Sequence, residues 1–327
     1  MFIEYIPPIA TTEDVGKFKV DGTTLEVDEN GMLKTYSIPY EAILDDNTWE
    51  QISAASEAGV AADLWSVGDC KKITLNGTVG TLNLSNYDTY VYILGFDHNS
   101  SIEGTGISFG GFKTALSGGT DVCLISNYAS STTDGTKNFN MEHWGYNNYG
   151  GWKGCDLRYD ILGSTDSAPS GYGSQAQSGR TGYDASSTTA ISPVSNTLMA
   201  ALPQDLRSVM KPITKYSDNV AGGSGSIQSN VTSSIDYLPL LAEYEVQGST
   251  TYYANPYESS YQTQYTYYAN GNSKVKYQHP STGSTANWRC RSADCGTSYG
   301  FCYVDAYGYA GSNSSRYSLG LSPIFLV

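Results

Sequence analysis

Charged residues are scarce in this chain of 327 residues: Asp, Glu, Lys and Arg make up only 15%, where soluble domains average about 25%. Lysine and arginine together number 18 against 32 acidic residues, which gives a formal net charge of −14. A surface this acidic is repelled by phosphate backbones and by anionic lipid headgroups. No stretch approaches the roughly 18 apolar residues that a membrane span needs. We therefore expect no nucleic-acid partner and no membrane insertion.

Histidine and cysteine are too few and too dispersed for a familiar metal site. The three histidines and six cysteines include no CxxC pair, which argues against a zinc site. No dense carboxylate cluster offers the six to eight oxygens that calcium prefers. Cys290 and Cys295 are close enough for a disulfide in an oxidising setting, but reduced and buried cysteines are favoured. The sequence predicts no metal, no cofactor and no catalytic residue.

Tyrosine and glycine are abundant instead, with 28 and 35 residues. Tyrosine supplies rigid contact area at low entropic cost, and Ser, Gly and Asn supply adaptable hydrogen bonds, as in antibody binding loops. Near the C-terminus this composition occurs in a stretch with too little apolar content for a core. Aromatic residues of a second loop, around residue 145, complete the predicted set. We predict a ligand-binding face formed by Tyr307, Tyr309, Asn313, Arg316, Tyr317, Trp144 and Tyr146.

A further concentration of seven tyrosines lies between Tyr252 and Tyr268. Alternate tyrosines on strands pack inward, so we expect about half of these rings to contribute to the core rather than to the surface.

The pattern along the chain divides it into two predicted domains, residues 1–44 and 45–327. In the first, short alternating runs are broken at Asp21-Gly22 and Asn30-Gly31, which are strong hairpin signals. A segment this small cannot bury a core alone. We therefore predict a small β-rich module that serves attachment and oligomerisation.

The second predicted domain mixes short helices, antiparallel strands and long loops, which favours an α+β fold. A helix is expected from Trp49, capped by Asn47 or Thr48. Residues 100–150 have few helix or strand signals and are expected to be loop, as is the Ser- and Gly-rich segment 164–189. We also predict strands at residues 72–75, 80–84 and 90–96, helices at 151–162 and at about 197–211, and three or four C-terminal strands.

Residues 15–34 resemble a segment found near the N-termini of phage tail and head fibres, where it commonly belongs to the trimeric, particle-attached part. The match is the run Val-Gly-Lys-Phe-Lys-Val-Asp-Gly-Thr-Thr-Leu-Glu-Val-Asp-Glu-Asn-Gly-Met-Leu-Lys. This resemblance implies a homotrimer bound to other virion proteins.

Residues 45–327 resemble a family of C-type-lectin-like domains from gut bacteria and their phages. Six segments carry the resemblance, in this order: Tyr92-Ile-Leu-Gly-Phe-Asp-His98, Gly150-Gly-Trp-Lys-Gly-Cys-Asp-Leu-Arg158, Leu202-Pro-Gln-Asp-Leu206, Leu238-Pro-Leu-Leu-Ala-Glu-Tyr-Glu-Val-Gln-Gly248, Trp288-Arg-Cys-Arg-Ser292 and Phe301-Cys-Tyr-Val-Asp305. The resemblance implies a C-type-lectin-like scaffold that displays a ligand-binding surface.

Few residues suggest covalent chemistry. His98 follows a predicted central strand and is expected to be hydrogen-bonded beneath a loop, whereas His143 is expected on the surface. A glycan-cleaving enzyme needs two carboxylates in a cleft, for which the nominees are Asp156 with Asp160 on a helix, or Glu243 with Glu245 in a strand.

We therefore expect a phage tail-fibre tip or related receptor-binding protein that adheres to a bacterial surface glycan or protein receptor. The N-terminus lacks the pattern of a signal peptide, so assembly in the host cytoplasm and residence in the virion are expected. The alternatives are a capsid-mounted decoration fibre and, less favoured, a virion-associated glycan-cleaving enzyme.

Overall fold

The computed structural model describes residues 18–20, 23–27, 33–37, 40–128, 131–163, 190–249 and 252–327. Within them the fold is mixed α+β, with mostly sheets and few, short helices, which confirms the predicted α+β class. The predicted loop at 164–189 lies outside the described residues. No helix in the described part of the chain is long and apolar enough to cross a membrane.

Three short strands form a sheet of their own near the N-terminus: β1 (Phe18–Val20), β2 (Thr23–Val27) and β3 (Leu33–Ser37). Adjacent strands are antiparallel, and β2 lies in the middle. Val20 pairs with Thr23 and Val27 pairs with Leu33, so both predicted hairpins are confirmed. Their turn residues lie outside the described residues.

The remaining strands and helices follow in chain order. The strands are β4 (Cys70–Val79), β5 (Leu82–Phe96), β6 (Ile107–Lys113), β7 (Asp121–Cys123), β8 (Ile213–Asp218), β9 (Val231–Asp236), β10 (Lys276–Gln278), β11 (Ser281–Ala286), β12 (Trp288–Ala293), β13 (Gly300–Val304), β14 (Ala310–Ser314) and β15 (Ile324–Leu326). The α-helices are α1 (Trp49–Glu57), α2 (Ala61–Leu64), α3 (Ser100–Glu103), α4 (Gly151–Gly154), α5 (Leu198–Ala201), α6 (Gln204–Val209), α7 (Glu243–Gln247) and α8 (Thr266–Ala269). Short 3₁₀ turns occupy Leu44–Asp46, Gln228–Asn230 and Pro256–Ser260, and a wider π turn occupies Leu157–Ile161.

A seven-stranded sheet forms the centre, in the order β11-β10-β7-β6-β5-β4, with β15 paired to β6. β5 is the predicted central strand, and its side chains alternate between two hydrophobic clusters. Val91 and Ile93 belong to the cluster that contains Trp49 and Phe109. Tyr92 belongs to the cluster on the other face, which also contains Trp288 and Tyr265. Both faces of this sheet are therefore covered at β5, whereas the edge strand β11 is largely exposed.

The predicted strands at 80–84 and 90–96 are in fact one strand, β5, which pairs with β4 along most of its length. The two strands meet at a tight turn in which Gly80 has a φ of +57°. A Cβ at this position would lie 2.2 Å from the carbonyl oxygen of Lys137, so no larger residue fits.

Residues 100–150 were predicted to be loop, and this prediction is wrong because α3, β6 and β7 lie there. The strand signal of β6 is weak because its centre is Gly110-Gly111. A Cβ on Gly110 would lie 2.5 Å from Leu94 and 2.8 Å from Ile324. The close approach of neighbouring strands thus explains a glycine that the sequence alone presents as a loop signal.

Helix α1 begins as predicted, because the Thr48 hydroxyl accepts a hydrogen bond from the Gln51 amide at 3.2 Å. The other two predicted helices are wrong in extent. Residues 151–162 form α4 and the π turn, separated by the extended residue Cys155. The helix predicted at about 197–211 is split into α5 and α6, since Pro203 disfavours a helical conformation at Leu202.

Strands β12, β13 and β14 form an antiparallel sheet near the C-terminus, and β15 returns to the central sheet. Six strands, β10 to β15, follow the tyrosine-rich segment, so the predicted number of three or four C-terminal strands is too low. Tyr303 pairs with Gly311 and Gly300 with Ser314, so β13 and β14 form a hairpin whose two ends point in opposite directions.

Candidate functional site

The predicted binding residues lie at opposite ends of the β13–β14 hairpin. Tyr307 and Tyr309 belong to its turn, residues 305–309, which we call the hairpin tip; their side chains are 80% and 71% exposed. Asn313 lies near the other end of β14, and Arg316 and Tyr317 follow that strand. The hairpin therefore separates the first two residues from the other three.

At the end of the hairpin opposite the tip, four loops meet. They are residues 144–149, 220–227, 252–257 and 294–299, which we call the loop face. The loop at 294–299 is bonded to each of the others: its Ser298 carbonyl accepts from the Asn148 amide at 2.9 Å, and its Cys295 carbonyl accepts from the Gly225 amide at 2.9 Å. The Cys295 amide donates to the Tyr253 carbonyl at 3.1 Å.

Tyrosine side chains are the main aromatic groups that this loop face exposes. The rings of Tyr146 and Tyr299 stack with centroids 5.1 Å apart, which joins two of the four loops by an aromatic contact. The exposed tyrosines of the loop face are Tyr146, Tyr149, Tyr252, Tyr253, Tyr257 and Tyr299.

An open groove of about 580 Å³ lies among three of the loops. This volume falls within the roughly 300–1,000 Å³ range of small-molecule sites. The residues that line the groove are Ser226, Tyr252, Tyr253, Ala254, Pro256, Asp294, Cys295, Gly296 and Thr297.

A single buried side chain, Asn148, holds the loop at 294–299 from beneath. Its amide nitrogen donates to the carbonyl oxygens of Asp294 and Thr297, both at 3.0 Å, and of Gly300 at 2.7 Å. Its amide oxygen accepts from the backbone of Gly222 at 2.9 Å. One side chain thus fixes two loops of the loop face.

Glu243 holds the loop at 252–257 in the same way. Its carboxylate accepts hydrogen bonds from the backbone amides of Tyr252, of Tyr253 at 3.1 Å and of Ala254 at 2.9 Å. Glu243 and Glu245 were predicted to lie in a strand, and this is wrong because both belong to α7. Glu243 is fully buried at the start of that helix.

Glu258, also fully buried, links three further segments beneath the loop face. Its carboxylate accepts from the Asp218 amide at 2.8 Å, the Ser292 hydroxyl at 2.7 Å and the Gln262 side chain at 3.1 Å. Burial raises the pKa of Glu258 to about 7, because loss of water disfavours the charged carboxylate. Asp218 in turn accepts from the Ala221 amide at 2.8 Å, which fixes the loop at 220–227.

Deeper still, Arg291 and Glu245 form a fully buried pair. The Arg291 guanidinium donates to both oxygens of Glu245, at 2.5 and 2.8 Å. Lys215 lies 2.9 Å from the same carboxylate and 2.7 Å from Glu103. Although burial alone would raise the pKa of Glu245, the two cations hold it well below its ordinary value.

The segment that follows β14 is fixed by Arg289. Its guanidinium donates to the carbonyl oxygens of Ser314 at 2.5 Å and Tyr317 at 2.9 Å. Burial lowers the pKa of Arg289 to about 10. Arg316 pairs with Asp134, and Asn313 is half-buried. Of the predicted set, Trp144 and Tyr146 belong to the loop face itself, and both are exposed. Arg316 and Tyr317 lie beside it, because they follow Ser315, whose amide donates to the Tyr299 carbonyl at 2.8 Å.

Five exposed tyrosines of the loop face were not predicted as members of the site: Tyr149, Tyr252, Tyr253, Tyr257 and Tyr299. The signal was present in the tyrosine concentration at 252–268, but the sequence did not show which rings face outward. In the structure Tyr265, Tyr267 and Tyr268 are buried, in line with the expected division between core and surface.

The two histidines considered for chemistry are both buried. His98 stacks on Tyr265 and contacts the Thr263 carbonyl at 2.9 Å, as expected for a residue beneath a loop. His143 was predicted on the surface, and this is wrong: its side chain is buried, with Nδ1 3.0 Å from Asp160. Burial would raise the pKa of Asp160, but His143 and Lys137 outweigh it and lower the pKa.

The nominated carboxylate pairs are engaged in internal bonds. Asp156 accepts from the His143 amide at 2.9 Å, and the Glu243 and Glu245 partners are given above. All six cysteines are free thiols, and Cys290 is buried. Among the residues that the structure describes, no group of three or more His, Cys, Asp or Glu side chains is placed to hold a metal ion.

Comparison with protein families matches residues 121–327 to a domain of unknown function (DUF6273). The matched segment contains all four loops of the loop face and the hairpin tip. Neither the curated proteins nor the solved structures include a significant match to this chain.

Proposed function

The chain belongs to the family described as a domain of unknown function (DUF6273), and we propose that it is a receptor-binding protein of a bacteriophage particle. In this proposal the loop face adheres to a receptor on a bacterial surface without covalent chemistry. The observation that carries the proposal is the set of exposed tyrosines on loops held by fully buried Glu243, Glu258 and Asn148. Such loops lose little conformational entropy on binding.

Aromatic side chains on an ordered surface are the residues that most often dominate binding energy. On this loop face they are neighbours: the Tyr146 and Tyr299 rings stack at 5.1 Å, and Tyr252 and Tyr253 line one groove. The buried carboxylates of Glu243 and Glu258 accept internal hydrogen bonds from backbone amides and polar side chains, and neither residue lines the groove. This arrangement favours recognition over bond cleavage.

The same proposal includes a specific fold family and an oligomeric state. The resemblance of residues 45–327 supports a C-type-lectin-like scaffold, and that of residues 15–34 supports attachment to the particle as a homotrimer. The small sheet of β1, β2 and β3 supports trimerisation, because a sheet of this size is marginal alone. Three copies would add avidity to weak single sites. Light scattering tests this step, and a monomer would contradict it.

The test of the function is binding of the fluorescently labelled protein to a panel of gut bacteria. The loop-face variant is Tyr252→Ala/Tyr253→Ala/Tyr299→Ala, and the matched control is the hairpin-tip variant Tyr307→Ala/Tyr309→Ala. We expect selective binding to some strains that the loop-face variant loses and the tip variant retains. Binding to no strain would contradict a receptor-binding role and favour a decoration fibre. Loss in the tip variant alone would move the site to the hairpin tip.

A further inference from the structure

The groove of the loop face has the shape of a site for a small unit rather than for a protein surface. It is concave, open to solvent and about 580 Å³ in volume. Its walls come from three separate loops, and the Cys295 amide joins two of them through the Tyr253 carbonyl at 3.1 Å. A ligand that enters it contacts several loops at once, as in most small-molecule sites.

The lining of the groove combines aromatic rings with hydroxyl groups. Tyr252 is 67% exposed and Tyr253 is 41% exposed, so each offers ring surface to a ligand. Ser226 and Thr297 add aliphatic hydroxyls to the lining. Such a surface suits a ligand that has an apolar face to stack and hydroxyl groups at its edge to hydrogen-bond.

The charge at the groove disfavours an anion. Among the described residues that line it, Asp294 alone carries a charge, and no lysine or arginine is present. The Asp294 carboxylate is held by internal bonds, to the Gly296 amide at 2.9 Å and to the Ser312 hydroxyl. The chain as a whole has a net charge of −14. An anionic ligand would be repelled by this field and would meet no cation in the groove.

The two tyrosines are positioned before any ligand arrives. The Glu243 carboxylate accepts from both of their backbone amides, and this carboxylate is itself buried on α7. The ordering cost on binding is therefore limited to the tyrosine side chains.

From these observations we propose that the groove binds an uncharged saccharide unit, stacked on Tyr252 or Tyr253 and hydrogen-bonded by Ser226 and Thr297. This step rests on the proposed function, since it names the chemical class of the receptor. Recognition in this form is direct and requires no metal ion.

The first test measures the binding of isolated oligosaccharides to the protein. An array of neutral oligosaccharides, with sialylated, uronic-acid and phosphorylated oligosaccharides beside them, is probed with the purified full chain. We expect binding to a subset of the neutral oligosaccharides, at least roughly tenfold weaker for Tyr252→Ala/Tyr253→Ala. Tyr252→Phe/Tyr253→Phe keeps the rings and should retain most of the binding. Binding should persist with a chelator present and between about 0.05 M and 0.5 M salt, because no charge pair is used.

The second test uses whichever bacteria the protein binds. Periodate treatment of the cells, which cleaves vicinal diols of sugars, should abolish binding, and protease treatment should leave it. Cell binding that survives periodate but not protease would overturn the saccharide proposal while the receptor-binding function stands. Array binding without binding to any strain would support the saccharide site and contradict the function. The inference would be overturned if the array showed no binding to neutral oligosaccharides or binding to anionic ones alone. It would also be overturned if a chelator abolished the binding.

Discussion

The two ends of the β13–β14 hairpin both present exposed tyrosines, yet they are held in different ways. At the hairpin tip, one oxygen of Asp305 accepts hydrogen bonds from the amides of Tyr307 and Tyr309, both at 2.8 Å. Gly308 adopts a φ of +92°, and its amide donates to the Asp305 carbonyl at 3.0 Å. Most of the hydrogen bonds that order the turn thus join residues adjacent in sequence. Two others come from outside it, from the Gln247 side chain to the Gly308 carbonyl at 3.3 Å and from the Ala306 amide to the Asn287 side chain at 2.9 Å.

At the loop face the bonds join residues that are far apart in the chain. Asn148 and the Thr297 carbonyl it binds are separated by 149 positions. Glu258 and Asp218 are separated by 40. A substitution in a local turn should leave the stability of the rest of the domain unchanged. A loop that is held by buried side chains from distant parts of the chain depends instead on the folding of the whole domain. We therefore predict that substitutions in the buried network below the loop face lower the free energy of unfolding much more than substitutions at the hairpin tip.

The largest effect is expected from breaking the Arg291–Glu245 pair. Glu245→Ala leaves two buried cations, Arg291 and Lys215, without their shared carboxylate. Removing one partner of such a pair costs about 3–5 kcal/mol in free energy of unfolding. Denaturant unfolding measures this loss. The control is Asp88→Ala, which breaks a pair with Lys72 at the exposed surface and should cost less than about 1 kcal/mol. Similar losses in the two variants would contradict a special role for the buried network.

The next effect concerns pH and Glu258. Because its pKa is about 7 in the fold against an ordinary value of about 4.3, the folded state binds a proton that the unfolded state has lost at intermediate pH. This group therefore stabilises the fold less as pH rises from about 4.5 to about 7, and the loss persists above that. Glu258→Gln stays neutral, so its stability relative to the parent should rise by about 3 kcal/mol between about pH 5 and about pH 8.5. A difference that does not change with pH would refute the shifted pKa. Glu50→Gln, at an exposed position, is the control.

A smaller effect is expected from Asn148→Ala, which removes the donor to three loop carbonyls. Buried carbonyls left without a partner cost about 1–3 kcal/mol in free energy of unfolding. Hydrogen exchange should accelerate at residues 294–299 and at Gly222, while the hairpin tip stays protected. An unchanged exchange rate at 294–299 would show that Asn148 is not what orders this loop.

Much of the fold could be predicted where the determining residues are adjacent in sequence. The Asp21-Gly22 and Asn30-Gly31 hairpins and the Thr48 cap of α1 follow from local turn and capping chemistry. The exposed tip tyrosines follow likewise from a polar turn. The loop face could not be predicted, because Tyr252 and Tyr265 look alike in sequence and differ only in what packs on them. Gly110 suggests a loop in the sequence for the same reason, since the residues that require a glycine there lie on other strands.

The smallest effect is expected at the hairpin tip. Asp305→Ala removes the acceptor of two hydrogen bonds in an exposed turn, and should cost about 1 kcal/mol in free energy of unfolding. Asp305→Asn keeps an acceptor oxygen and should cost less. Hydrogen exchange should accelerate only at residues 306–309. Because the tip and the loop face share no bond, the double variant Asp305→Ala/Asn148→Ala should lose the sum of the two single losses to within about 0.5 kcal/mol. A larger deviation, or faster exchange at 294–299 in Asp305→Ala, would mean that the strands of the hairpin couple its two ends.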